Sequence, residues 1–402
     1  MKPLPAAAIS QPASRIAPQP DARRNALPPW AVIALRLLML ALVALPLLAG
    51  IAGGLLRAGV ALPDMAQAAW SSRAALGHAA LMMSGFLGTV IGIERAVAVK
   101  LRAAFAAPIA SSAGGIFLLL GQPAAGAWLS VAAAVVFFGV NAVVVQRQRA
   151  AHTWLLVASA GAWLAGNLLF AVGFDSIGIL PWWFAFLVMT IAAERLEMTR
   201  LMRRRPAAQG LLCAVLAALV AGAALSSLMA GAGGVLFGAA LVLLALWLAV
   251  FDIARRTVFA HGLSRYMAVC LLGGYAWLAV AGAAWAAAAL GGPVRDMALH
   301  ALGLGFVVSM VMGHAPVILP AVARVKLQFG TFFYVPLAAL YASLVLRLGF
   351  GSLEPSLRAA GAALNATALA LFALVVLGAA LAWRVRHGAP SAPGAPPFRK
   401  TF

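Results

Sequence analysis

Two histidines in this chain sit in one repeated frame. RAALGHA ends at His78–Ala79 and RDMALHA ends at His300–Ala301, and each has an arginine five residues earlier, Arg73 and Arg295. Both frames open long apolar stretches. An ionisable group placed in lipid is costly and marks a functional site with a partner to be found. Neutral imidazole suits haem iron, copper and zinc alike. Two histidines in matching frames therefore point to one shared metal ligand site.

The elements that must position them are membrane helices. The chain of 402 residues is 64% hydrophobic and 9% charged, which excludes a soluble domain. Stretches of roughly 20 apolar residues, enough to cross about 30 Å of hydrocarbon, recur throughout. They predict spans at 30–56, 74–98, 103–121, 124–145, 152–173, 177–198, 210–229, 232–251, 266–290, 295–319, 328–349 and 357–385. His78 then lies near the start of helix 2 and His300 near the start of helix 10, both roughly 6–8 Å below the same membrane face at 1.5 Å per residue.

Charge placement gives the orientation. With the N-terminus in the cytoplasm, inner segments hold groups such as Arg102, Arg147, Arg203, Arg255 and Lys326, while outer segments hold only Arg57, Arg73, Arg295, Arg347 and Arg358. This is the positive-inside pattern, and it predicts both termini inside. The formal charge of +20 is dealt out loop by loop, so anionic lipid is a sufficient partner. A nucleic-acid surface is not expected. Residues 1–29 and 387–402, rich in Pro, Ala and Ser, read as disordered cytoplasmic tails around a membrane domain at 30–386. No signal peptide is apparent. Cys213 and Cys270 lack metal or redox spacing.

Other residues could join the site. Gly85 and Gly88 follow His78 by seven and ten residues, within about 80° of its direction on a regular helix. Such a stripe either makes room for a flat macrocycle or packs helix on helix. His314 follows His300 by fourteen residues, within about 40° of the same face and roughly 21 Å deeper. It is either a further metal ligand or a hydrogen-bonding partner for backbone freed by Pro316 and Pro320. Arg73 and Arg295 either donate to haem propionates or snorkel, with Asp296 a local partner for Arg295. Glu94, Glu194 and Glu197, beside Arg95, Arg195 and Arg200, form either interfacial ion pairs or a proton entry route. Helices 2, 6 and 10 carry most of these residues, and three groups of four helices is one reading of that spacing.

Histidines on helices 2 and 10 of a twelve-helix chain resemble the low-spin haem ligands of haem–copper oxidase subunit I. That superfamily takes copper ligands from histidines on helices 6 and 7, and here those helices contain none. A closer resemblance is to the NnrS family, twelve-helix haem-containing bacterial membrane proteins associated with the response to nitric oxide. HAALMMSGFLGTVIG (His78–Gly92) is similar to that family's N-terminal histidine helix, and LHALGLGFVVSMVMGHAP to its C-terminal histidine-rich segment. The chain departs at Ala79, where the family has an acidic residue. The resemblance implies an all-α bundle of about twelve helices in the bacterial inner membrane. It also implies a haem, of b type as the simplest form, held by His78 and His300, with a diatomic gas or a redox partner.

Three function classes follow. The first is a haem protein without an oxidase copper centre, linked to nitrosative stress or electron transfer. The second is a twelve-helix secondary transporter, for which Glu94-Arg95 to Lys100-Leu-Arg102 supplies the nearest motif. The third is an assembly factor with no ligand. Whether any reaction is turned over is left open, because a haem with two protein ligands is closed to substrate unless one dissociates.

Overall fold

A computed structural model describes residues 29–62, 68–199 and 206–387. The expected tails fall almost wholly outside them, as do residues 200–205, where an inner loop is expected. Twelve helices are long and apolar enough to cross a membrane: α1 Leu37–Arg57, α2 His78–Val99, α3 Arg102–Leu119, α4 Pro123–Arg147, α5 Ala151–Ala171, α6 Ser176–Met198, α7 Ala207–Ser226, α8 Ala230–Phe251, α9 Gly262–Ala289, α10 Arg295–Val322, α11 Thr331–Ser352 and α12 Pro355–His387. The helix carrying α1 begins at Pro29. There is no strand among the described residues. Lipid offers no hydrogen bonds, so each segment must satisfy its backbone internally, and runs of Ala, Leu, Val and Phe do so as helices. Short turns reverse the chain. Gly121 and Gly291, with φ of 80° and 94°, end α3 and α9 in the left-handed conformation that glycine adopts without a Cβ clash.

The stretch to Ala41 is one unit, and Leu42 onward is a second. The first exposes Trp30, Leu37, Leu38 and Leu40, as an apolar helix does toward hydrocarbon. In the second, neighbouring helices pack in chain order. The most buried span is α6, which contributes Trp183, Phe184, Phe186 and Leu187 to one continuous core. Trp163 of α5 stacks on Phe186 at 4.9 Å, and Phe137 of α4 meets both edge-on.

Three helices meet pairwise through polar side chains. His78 of α2 lies beside His300 of α10, Arg95 of α2 bonds Glu194 of α6, and Arg195 of α6 bonds His314 of α10. These are the same three helices that carry the unusual polar residues. A satisfied polar network ties α2 to its other neighbours. Ser84 donates to Asn167 Oδ1 at 2.9 Å and receives Trp163 Nε1–H at 3.2 Å. Trp183 Nε1–H also donates to Asn167 Oδ1, at 2.9 Å. Each buried polar group here has a partner, which is what permits it in an apolar core.

Both histidine helices share an irregularity. A π-helical stretch follows His78 at Leu81–Gly88, and another follows His300 at Ala301–Val308. A wide turn inserts roughly one extra residue and so rotates everything beyond it by about 100°. Of the alternatives open for these residues, packing fits the two glycines and a hydrogen-bonded place fits His314. Gly85 and Gly88 do not open room beneath His78. A Cβ on Gly85 would meet Pro46 at 3.0 Å, and one on Gly88 would run into the Trp163 ring, with Ser111 Oγ at 2.9 Å. These glycines let helices approach closely. His314, likewise, is turned off the His300 face and toward α6.

Candidate functional site

The repeated frame places His78 as the first residue of α2 and His300 in the second turn of α10. Their ring centroids are 6.4 Å apart and the planes differ by 25°. At that separation the rings are not in van der Waals stacking. Allowing about 1 Å from ring centre to nitrogen on each side, the ring nitrogens lie between roughly 4 and 9 Å apart, and the lower end of that range is what one metal with two bonds of about 2 Å spans.

Each ring is fixed through Nδ1. His78 Nδ1–H donates to the Gly50 carbonyl at 2.7 Å. Helix α1 reaches so near that a Cβ on Gly54 would lie 2.7 Å from His78 Cε1. His300 Nδ1 lies 3.0 Å from the Asp296 carbonyl and 2.9 Å from its carboxylate Oδ1. An imidazole that donates from Nδ1 keeps its lone pair on Nε2, the arrangement found behind metal-ligating histidines.

The residue that sequence reasoning missed is Arg347. Counted above among outer boundary charges, it lies within α11 and is 8% exposed. Its Nη2 donates to Asp296 Oδ1 at 2.9 Å, and its Nε donates to Oδ2 at 3.1 Å, a two-pronged grip. Nη2 also lies 3.1 Å from His300 Nε2 and 3.3 Å from Nδ1. A group near both nitrogens is off the lone-pair axis of either, so it lies across the ring. Asn365 on α12 completes the cluster, with its Oδ1 3.5 Å from Arg347 Nη1 and its Nδ2–H donating to Ser343 at 2.7 Å. The available signal was an arginine inside the apolar run VLRLG, which the intramembrane-charge argument flags.

The other expected contributors are dispersed. Arg73 donates to the Leu119 carbonyl at the end of α3, 3.1 Å away. Arg295 donates to Ser176 Oγ at 2.8 Å. Asp296, expected as a partner for Arg295, binds Arg347 and His300 instead, because its side chain points along the helix rather than back to its neighbour. Arg295 and Ser176 line a cleft of about 270 Å³ with Leu180, Trp285 and Leu299, and neither histidine lines it.

His314 leaves the ligand set. Its Nε2 accepts from Arg195 Nη2 at 2.7 Å and its Nδ1 lies 2.7 Å from the Met310 carbonyl. Both nitrogens are thus engaged, and the carbonyl is not one freed by Pro316 or Pro320. Glu94 and Glu194 both pair with one arginine: Arg95 Nη2 lies 3.1 Å from Glu194 and 3.7 Å from Glu94, while Glu197 lies 3.8 Å from the His152 ring. Among the described residues, no three His, Cys, Asp or Glu side chains gather in the way a metal ion needs.

No curated protein and no solved structure matches this chain. Residues 36–381 match the family described as Domain of unknown function (DUF8744), a stretch that runs from the start of α1 into the last turns of α12, and the chain belongs to that family.

Proposed function

We propose that this is a haem-binding membrane protein of the NnrS-like kind, with His78 and His300 as the residues that would hold the iron. The observation that carries the reading is the pair of Nδ1-anchored imidazoles with centroids 6.4 Å apart on α2 and α10. Two imidazoles on opposite sides of one metal, with bonds of about 2 Å, place their ring centres about 6 Å apart. Two protein donors alone are too few for a structural zinc site, which takes four. A haem iron needs only axial ligands, because the macrocycle supplies the rest. The donor set therefore fits a haem, and Arg347, beside His300, is the cation placed to meet an acidic substituent of it.

When bound, such a group would supply one-electron transfer, or gas binding once one of the two histidines dissociates. The chain's own residues hold the imidazoles in one tautomer through Gly50 and Asp296. The link to nitric oxide rests on the family resemblance. The reading also takes the bundle to lie in the bacterial inner membrane with both termini inside. It takes α2, α6 and α10, which meet pairwise, as the inner helices of a pseudo-threefold bundle of the haem–copper oxidase kind.

The test is a visible absorption spectrum of detergent-purified protein from haem-supplemented cells. The expected result is a Soret band, with His78→Ala and His300→Ala each reducing bound haem. A colourless wild-type preparation would overturn the reading and favour transport.

A further inference from the structure

The opposite end of the bundle buries a second polar cluster, separate from the histidine pair. Arg195 on α6 is 5% exposed, Asp252 just after α8 is 0% exposed, and Tyr275 on α9 is 3% exposed. Arg195 Nη2–H is taken up by His314 of α10. Asp252 Oδ1 accepts the Ala254 backbone N–H at 2.7 Å. Three polar atoms then remain without a hydrogen-bond partner among the described residues: Arg195 Nε, Asp252 Oδ2 and the Tyr275 hydroxyl. They belong to one locus: the Tyr275 hydroxyl lies close enough to the Asp252 carboxyl to interact with it as a donor, though without good hydrogen-bond geometry, and Arg195 and His314 both act on that carboxyl electrostatically.

Buried polar groups are almost always satisfied, and ordered water is the usual partner where protein supplies none. The chemistry of the three atoms selects the ligand. Arg195 Nε–H and Tyr275 O–H donate, and Asp252 Oδ2 accepts. An apolar ligand would leave Arg195 Nε–H unpaired and the Tyr275–Asp252 contact poorly formed. An anion would face the Asp252 carboxylate, and a cation would face Arg195. Water accepts from the two donors and donates to the carboxylate.

We propose that Arg195, Asp252 and Tyr275 build a buried water site through which Asp252 exchanges a proton with the adjacent aqueous side. A proton arriving on the water would pass to Asp252 Oδ2, giving the neutral carboxylic acid and leaving neutral water. Arg195 stays charged throughout, and His314, accepting from it, stays neutral. The aqueous side is near along the chain: the exposed Arg255 and Arg256 follow Asp252 by three and four residues. Burial pushes the Asp252 carboxyl up from the ordinary carboxylate range, against the lowering effects of the Ala254 N–H, Arg195, Tyr275 and His314. The site does not depend on the haem reading.

Two measurements on the full-length protein test it. Hydroxyl-radical footprinting reports residues touching internal water. Tyr275 is expected to be labelled several-fold faster than Phe306 and Phe186, which are equally buried and carry no polar atom. Infrared difference spectra across a pH series are expected to show a protonated-carboxyl band that grows as pH falls and is missing in Asp252→Asn. Labelling of Tyr275 as slow as that of Phe306 would overturn the water site. A titrating band that persists in Asp252→Asn, or no titrating band at all, would overturn the proton step. Should Asp252→Asn fail to fold, Tyr275→Phe is expected to shift the wild-type band, and an unmoved band would count against the proposal.

Discussion

Asp296 is held by Arg347 through two hydrogen bonds, 2.9 and 3.1 Å long, and the same carboxylate lies 2.9 Å from His300 Nδ1. The pair joins α10 to α11 and fixes the His300 ring. Arg347 is nearly buried while the Asp296 side chain is 38% exposed, so the pair sits between an exposed and a buried salt bridge. Removing either partner is expected to cost about 1–3 kcal/mol, short of a fully buried pair. Asp296→Asn should cost more than Arg347→Met, because it strands the buried cation. In thermal denaturation in detergent the double variant should lose less than the sum of the singles. Additive losses would show that the two side chains are not coupled.

The glycines of α2 make a different prediction. Gly88 sits against Trp163 and Ser111, so Gly88→Ala must displace an aromatic ring in a packed core. A loss of about 1–3 kcal/mol is the usual cost of such overpacking. Melting temperature should fall, while any absorption band that depends on His78 should keep its position. A spectral shift in Gly88→Ala without a loss of stability would place this glycine at the ligand instead.

How much of this was legible in the sequence depends on the kind of signal. The twelve spans were, because length and hydropathy decide them and every predicted span overlaps an observed one. The proximity of His78 and His300 was also readable, since a repeated frame at one depth needs only the rise per residue. Facing was not. The π-helical stretches at Leu81–Gly88 and Ala301–Val308 break the 100° rule, so His314 came out on another face than His300, and spacing alone left open whether Gly85 and Gly88 met a ligand or a neighbouring helix. Arg347 was missed for another reason: it lies two residues from a predicted boundary, where snorkelling and burial look alike in sequence. The clustering of Arg195, Asp252 and Tyr275 is a product of packing between α6, α8 and α9, which no spacing along the chain records.

The Ser84–Asn167 network carries a sharper stability test. Asn167 Oδ1 accepts from both Ser84 and Trp183, and its Nδ2–H donates to the Ser130 carbonyl at 3.1 Å. Asn167→Ala leaves two buried donors and a buried carbonyl short of a partner, in a place that is completely buried. About 1–3 kcal/mol per unsatisfied group is the usual penalty. Asn167→Asp should be milder, since it keeps an acceptor for both donors. Equal losses for the two variants would mean that packing, not hydrogen bonding, sets the cost.

Asp252 gives the pH dependence. Burial raises its carboxyl in the folded protein above the value in an unfolded chain, so between those two values the folded state binds the proton more readily. Stability then falls as pH rises, beginning at the ordinary carboxylate value and levelling off above the raised one. This is the reverse of the usual salt-bridged aspartate, whose contribution is lost in acid. Asp252→Asn cannot titrate and should lack that part of the slope. The comparison is a pH series of thermal denaturation for wild type and Asp252→Asn in the same detergent. The two curves should converge in acid and separate as pH rises, with the wild type losing more. Parallel curves would mean that Asp252 is as free to ionise in the folded protein as in the unfolded chain.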